Sequence, residues 1–281
     1  MSDTSTPGSS YPLPIVIAHR GARSIAPENT LLAAQKAFEL GADMWELDVA
    51  ETYDGQLVVI HDDTLTRTSN AKAVYPNQMP WNVRQFTLEE LKKLDFGSWF
   101  IETDPFGTIK NGRVSVEDQQ KMKGLQIPTL EEALVLTKNN QWRVNVEIKD
   151  LSRTPGDADV VEKVVALIEK LDMVDRVIVS SFNHDYLSRS KAANPKIATA
   201  VLVDKHVDDP ISLVNQYAAQ GFNPSIKTIG DLEIVRSLRD AGIDVYVWTV
   251  NDENDIRHLI EAGATGIITD DTAVVQKILD E

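Results

Sequence analysis

ELGADMWELD, residues 39–48, reads as a helix end, a glycine, and a strand that finishes on polar residues. The same order recurs in AQGFNPS (219–225), DAGIDVYVWT (240–249) and EAGATGIITD (261–270). A glycine after a helix supplies the left-handed residue that ends it. A short apolar run behind that glycine suits a buried parallel strand. The rhythm therefore predicts repeated βα units and a parallel sheet.

Working outward, eight runs read as strands: IVIAH (15–19), WELDV (45–49), RVNVEIK (143–149), VIVSS (177–181), IATAV (197–201), FNPS (222–225), VYVWTV (245–250) and GIIT (266–269). Helical spacing follows each, at about 30–40, 129–139, 157–171, 184–193, 210–219, 230–240, 252–262 and 272–280. Asn29 is the expected N-cap of the first helix and Gly41 its left-handed end. Thr129-Leu130-Glu131-Glu132 is a capping box for the second. Eight strand–helix pairs in 281 residues predict a closed α/β TIM barrel, (β/α)8, typically about 250 residues long. The alternative is an open doubly wound sheet, but no G-x-G-x-x-G turn follows the first strand.

LVVIH (57–61) is one strand too many. Asp54-Gly55 is a hairpin signal, so this run is expected to fold back antiparallel and return His61 to the neighbourhood of Asp48. Residues 62–127 are too long for a barrel loop. They hold Trp81, Phe86, Phe96, Trp99, Phe100 and Phe106 and a short helix capped at Thr87. They predict a small insertion subdomain after strand two, sitting over the barrel mouth. Residues 1–14, rich in Ser, Thr, Pro and Gly, read as a mobile arm and lack the form of a signal peptide. The barrel is expected to occupy 15–281.

The net charge is −15 and no basic stripe is present, which argues against nucleic acid and anionic lipid as partners. With no cysteine, thiolate catalysis, thiolate metal sites and disulfides are excluded. No run of eighteen apolar residues occurs, so no membrane span is expected. With no signal segment, a cytoplasmic location is the expectation. No feature sets an oligomeric state.

Polar groups at strand ends are where parallel barrels place their chemistry. Glu46 and Asp48 lie two apart on one strand and share a face. Glu147 ends another strand. Three carboxylates at one mouth repel unless a cation lies between them, and oxygen ligands suit Mg2+, Ca2+ or Mn2+ better than zinc. The alternative is a set of rim carboxylates neutralised by Arg20 and Lys149. His19 and His61, each at a strand end, suit general acid and base work near neutral pH, the alternative being structural hydrogen bonding. Arg20 carries the planar fork that fits phosphate oxygens. Trp248 at a strand end either walls a pocket or packs.

HRGA (19–22), PENT (27–30), ELDV (46–49), VVIHD (58–62), VEIK (146–149), VWTVN (247–251) and GIITD (266–270), with LDFGSWF (94–100) in the insertion, together resemble the glycerophosphodiester phosphodiesterase family in order from about 15 to 281. The resemblance implies one divalent cation, Mg2+ or Ca2+, held by Glu46, Asp48 and Glu147, with His19 and His61 as the acid–base pair. It further implies that Arg20 and Lys149 hold the phosphate, that Glu28 buttresses the first histidine loop and so contributes to substrate binding, and that Trp248 contacts the glycerol or the alcohol. The implied substrate is a small phosphodiester such as glycerophosphocholine or glycerophosphoethanolamine. It would be cleaved to glycerol 3-phosphate and an alcohol through a cyclic phosphate made by the neighbouring hydroxyl. Two other readings stay open. A lysophospholipase D would use the aromatic insertion as an acyl channel, and a non-catalytic barrel would bind a phosphorylated ligand. A metal-dependent amide hydrolase is a third idea, disfavoured because the first strand ends in His-Arg rather than His-x-His.

Overall fold

The computed structural model describes residues 11–281. Among these residues, nine strands form one sheet: β1 (Ile15–Ala18), β2 (Met44–Glu51), β3 (Leu57–Val59), β4 (Arg143–Ile148), β5 (Val177–Ser181), β6 (Ala198–Val203), β7 (Gly221–Pro224), β8 (Asp244–Val247) and β9 (Gly266–Thr269). Eight of them pair in parallel in the order β1-β9-β8-β7-β6-β5-β4-β2, and β1 pairs with β2 to close the ring. The expected eight-stranded barrel is present. Helices between the strands form the outer layer, the longest being Val160–Lys170 and the last Thr272–Leu279.

Two large apolar clusters lie between the strands and that layer, one around Trp45, Val146 and Val164, the other around Val201, Val247 and Leu259. Inside the ring, Ile17, Met44, Ile178, Ala200, Tyr246 and Ile268 fill the lower barrel. With the floor packed, the barrel is open for chemistry only at the strands' C-terminal ends.

β3 runs antiparallel to β2, with Glu51 opposite Leu57 and Val49 opposite Val59. Gly55 takes φ +74° in the turn. The return leg is short, and the Ile60 amide donates to the Asp48 carbonyl at 3.0 Å. His61, the next residue, is thereby delivered beside Asp48, as the Asp-Gly signal predicts.

Residues 62–127 build their own apolar centres. Phe86, Phe96 and Leu91 pack against Val58 and Ile60 of the hairpin, while Phe100, Val114 and Met122 pack on Ala26 and Ala33 of the first loop and helix. The helix Leu88–Leu91 carries the expected Thr87 cap as a full capping box. Among the described residues, none from 62–127 lines the mouth pocket.

Part of the expected mobile arm is described, and it is packed. The Tyr11 hydroxyl bonds to Asp240, its ring lies under Arg239, and Leu13 joins the second cluster. Residues 1–10 of that arm lie outside the described residues. Among the described residues no helix is long and apolar enough to cross a membrane.

Candidate active site

The loop HRGARSIAPENT is the first piece of the site. Arg20 takes φ 56° and Gly21 φ 82°, and a Cβ on Gly21 would lie 2.6 Å from the Ala33 carbonyl carbon. Only glycine fits that approach. The bend turns the Arg20 amide onto Glu46 Oε2 at 2.9 Å. The expectation that Asn29 caps the first helix is corrected: Thr30 is the cap, accepting from the Ala33 amide. Asn29 sits one residue earlier at φ 56°, donating through Nδ2 to Asp48 Oδ2 at 2.8 Å. Asparagine tolerates the left-handed region, and here that conformation turns a helix-entry residue into a partner of the acidic group.

Glu46, Asp48 and Glu147 converge as expected. All three are buried, and one oxygen from each lies within 4.8 Å of the others. Their environments differ. Asp48 has Lys149 Nζ at 3.4 Å, Arg20 Nε at 3.3 Å and the Asn29 amide. Burial opposes its charge, but these partners win and hold it below the carboxylate range. Glu147 pairs with Lys149 at 2.8 Å, yet burial and Asp48 push its carboxyl up. Glu46 accepts the Arg20 amide, and among the described residues no Lys or Arg side chain forms an ion pair with it. Burial, then Asp48 and Glu147, push it well up. The salt-bridge alternative thus accounts for Asp48 and leaves Glu46 uncompensated. A buried, all-oxygen set with one unneutralised member is a donor arrangement that fits a hard divalent cation.

His19 and His61 face the same pocket, and each ring is fixed through Nδ1. Asp270 Oδ1 lies 2.7 Å from His19 Nδ1, and Asp62 Oδ1 lies 2.8 Å from His61 Nδ1. A carboxylate on Nδ1 selects the tautomer that leaves the Nε2 lone pair free. Burial pushes His19 below its ordinary value, Arg20 and Arg23 act in the same sense, and Asp270 opposes them.

Glu28 is buried and bonded to three guanidiniums: Arg20 at 2.8 Å, Arg23 at 2.8 Å, and Arg67 at 2.7 and 2.9 Å. Arg23 also reaches Asp270 at 3.2 Å. Burial resists the Glu28 charge, but its arginines outweigh it and bring its pKa down to about 2. Glu28 therefore organises the first loop and has no free oxygen for substrate.

The pocket holds about 130 Å³ and is lined by His19, Arg20, Glu46, His61 and Glu147 on one side and Phe182, Leu202 and Trp248 on the other. Lys149 does not line it; its ammonium is turned onto the carboxylates. Trp248 stands edge-on to Phe182, 5.8 Å between centroids, with its indole N–H on the Asn223 carbonyl. Of the remaining histidines, His184 bonds the Leu202 carbonyl, and His206 lies on the exposed surface near Asp208.

Sequence reading did not assign Asp270, Asp62, Arg23, Arg67 or Asn29 to the site. For Asp270 and Asp62 a signal existed: each stands at a strand end or directly after a histidine within a quoted motif. Arg23 and Arg67 carry none, because what ties them to the site is Glu28, which they share across two separate segments, and the reach of Arg23 to Asp270.

Comparison with known proteins identifies the family. The family model described as the glycerophosphoryl diester phosphodiesterase family matches residues 19–274. A glycerophosphodiester phosphodiesterase of Caldanaerobacter subterraneus subsp. tengcongensis is 38% identical over 258 residues, 92% of this chain and 94% of the relative. One from Bacillus altitudinis is 36% identical over 269 residues, covering 95% and 98%. Among solved structures, an Oleispira antarctica phosphodiesterase in complex with the product sn-glycerol-3-phosphate is 27% identical, with a TM-score of 0.76 and coverage of 96% of this chain and 98% of that one. The chain belongs to the glycerophosphoryl diester phosphodiesterase family.

Proposed function

We propose that the protein is a phosphoric diester hydrolase that cleaves glycerophosphodiesters to glycerol 3-phosphate and an alcohol. The observation that carries this reading is the pair of Nδ1-anchored histidines on one pocket with the buried acidic triad and Arg20. The family membership and the product complex of the Oleispira antarctica relative support it.

Glu46, Asp48 and Glu147 would hold the divalent cation, Mg2+ or Ca2+, which would neutralise charge building on the phosphoryl oxygens. Arg20 meets the phosphate from the pocket wall, and Lys149 adds positive charge behind the triad. His19 is buried and disfavours its own protonation, so its Nε2 is suited to take the proton from the glycerol hydroxyl beside the phosphate. His61 acts in its imidazolium form, with Asp62 holding the Nδ1 proton, and gives its Nε2 proton to the leaving alcohol oxygen. The attack forms a cyclic phosphate as the ester bond to the alcohol breaks. Water then opens the ring while the two histidines exchange roles. Trp248 and Phe182 shape the pocket around the glycerol or the alcohol.

A lysophospholipase D would need a route for an acyl chain. Phe86, Phe96 and Phe100 of the insertion are buried in its own cores, so they do not offer one. Phosphorus NMR of glycerophosphocholine, with Mg2+ or Ca2+ and again with excess chelator, tests the reading. Glycerol phosphate appearing only without chelator is the expected result. No conversion with either ion, beside turnover of lysophosphatidylcholine, would replace it by the lipid reading. Binding without turnover of either would leave a non-catalytic barrel.

A further inference from the structure

The floor of the mouth pocket is polar, although the barrel below it is apolar. Asn145 on β4, Ser180 on β5 and Asn223 on β7 all line it. Ser180 donates to Asn145 Oδ1 at 2.9 Å, which leaves the Asn145 Nδ2 hydrogens uncommitted. Asn223 is fully buried, and neither its Oδ1 nor its Nδ2 has a partner. Its carbonyl is engaged with the Trp248 indole, which fixes the backbone but not the amide.

A buried amide with both ends unpaired costs free energy unless something entering the pocket completes it. No neighbour does so here: Ser180 is engaged with Asn145, and Leu202, level with Asn223 on β6, and Ile268 on β9 are apolar. An amide offers one acceptor and one donor pair, which is the complement of a hydroxyl. A carboxylate or a second phosphate would use only its donor half.

We infer that Asn223, with Asn145 lining the same floor, is the specificity-determining seat for the terminal hydroxyl of the glycerol unit, and so selects glycerol esters over diol esters that lack that hydroxyl. This rests on the reading of the pocket as a glycerophosphodiesterase site. The hydroxyl next to the phosphate is consumed by the chemistry at the histidines. The terminal one, a carbon further away, is the group left for the floor to recognise.

The test compares glycerophosphocholine with 2-hydroxypropyl phosphocholine, which keeps the reacting hydroxyl and lacks the terminal one. Wild-type protein should prefer the glycerol ester by about 10- to 100-fold in kcat/KM, the range of one unmade buried hydrogen bond. Asn223→Leu, of similar volume, should bring the two within about threefold by losing glycerol-ester turnover, with the propanediol ester unaffected. Its Tm should be unchanged or higher, because no partner is lost. Asn223→Ser, which retains a smaller polar group, should recover part of the preference. A variant that keeps the wild-type preference, or slows both esters equally, overturns the proposal; so does a wild type that does not distinguish them. Were neither ester turned over, the functional reading would fall. The floor would then be judged by binding of sn-glycerol 3-phosphate against 1,2-propanediol phosphate. Equal affinities there overturn it, and an affinity gap that Asn223→Leu closes supports it.

Discussion

Arg67 places its two terminal nitrogens on the two oxygens of Glu28, at 2.9 and 2.7 Å. The same guanidinium holds Asp62 through Nε at 2.7 Å and through Nη2 at 2.8 Å. One side chain from the insertion thus joins the loop of His19 to the carboxylate that orients His61. Arg67→Ala should lower kcat on glycerophosphocholine by about 10- to 100-fold with little change in KM, the range seen when groups supporting a site are removed. Arg67→Lys should restore little, since an ammonium cannot bridge two carboxylates as a planar fork does. Steady-state kinetics decide it; an unchanged kcat in Arg67→Ala would remove the insertion from the mechanism.

Glu28 should make the fold acid-sensitive. Its pKa is about 2 in the folded protein against an ordinary 4.5. A group whose folded pKa is depressed contributes stability that is present above 4.5 and lost as pH falls toward 2. Glu28→Gln should lower Tm at neutral pH, by an amount equivalent to about 3–5 kcal/mol, because three guanidiniums lose their common anion. The variant's Tm should also fall less steeply than wild type between pH 4.5 and 2. Parallel Tm curves over that window would show that the arginines find other partners.

Replacing either histidine should be severe. His19→Ala and His61→Ala are each expected to reduce kcat by about 10²- to 10⁴-fold, the usual worth of a positioned acid or base. Asp270→Asn and Asp62→Asn keep the shape but weaken the selection of tautomer, so intermediate losses are expected. Near-normal turnover in both histidine variants, with cation present, would sink the acid–base assignment.

The acidic triad predicts a stability response that needs no substrate. Mg2+ or Ca2+ at millimolar concentration should raise Tm, since a ligand bound only by the folded state stabilises it by mass action. Glu46→Gln, which removes the uncompensated carboxylate, should raise Tm in chelator and blunt the rise on adding cation. A Tm indifferent to both ions in the wild type would count against a cation at this triad.

Much of this architecture is legible in the sequence. The glycine between helix and strand at four junctions, and the short apolar runs throughout, locate the barrel strands to within a few residues, because both signals are local. Glu46, Asp48, Glu147, His19 and His61 were legible for a related reason: a polar group closing an apolar strand has only the barrel mouth to occupy. What escaped depends on contacts between distant segments. Asn29 and Thr30 are both good caps, and only the left-handed turn, which aims Asn29 at Asp48, settles which one caps. Arg23 and Arg67 look like ordinary surface charges until Glu28 is found buried between them. Asn223 stands within a short strand, and nothing in FNPS says that its amide would be left without a partner.

His19 and Asp270 meet across 251 positions of sequence, one at the end of β1 and the other just after β9. The seam where the ring closes is therefore also where one histidine acquires its orienting carboxylate. On a ribosome, no nascent chain can hold that pair until the final strand has left the exit tunnel. During refolding, recovery of turnover should lag behind recovery of helical signal and coincide with the last, ring-closing event. On the proposed role of His19, turnover reports that the barrel is complete.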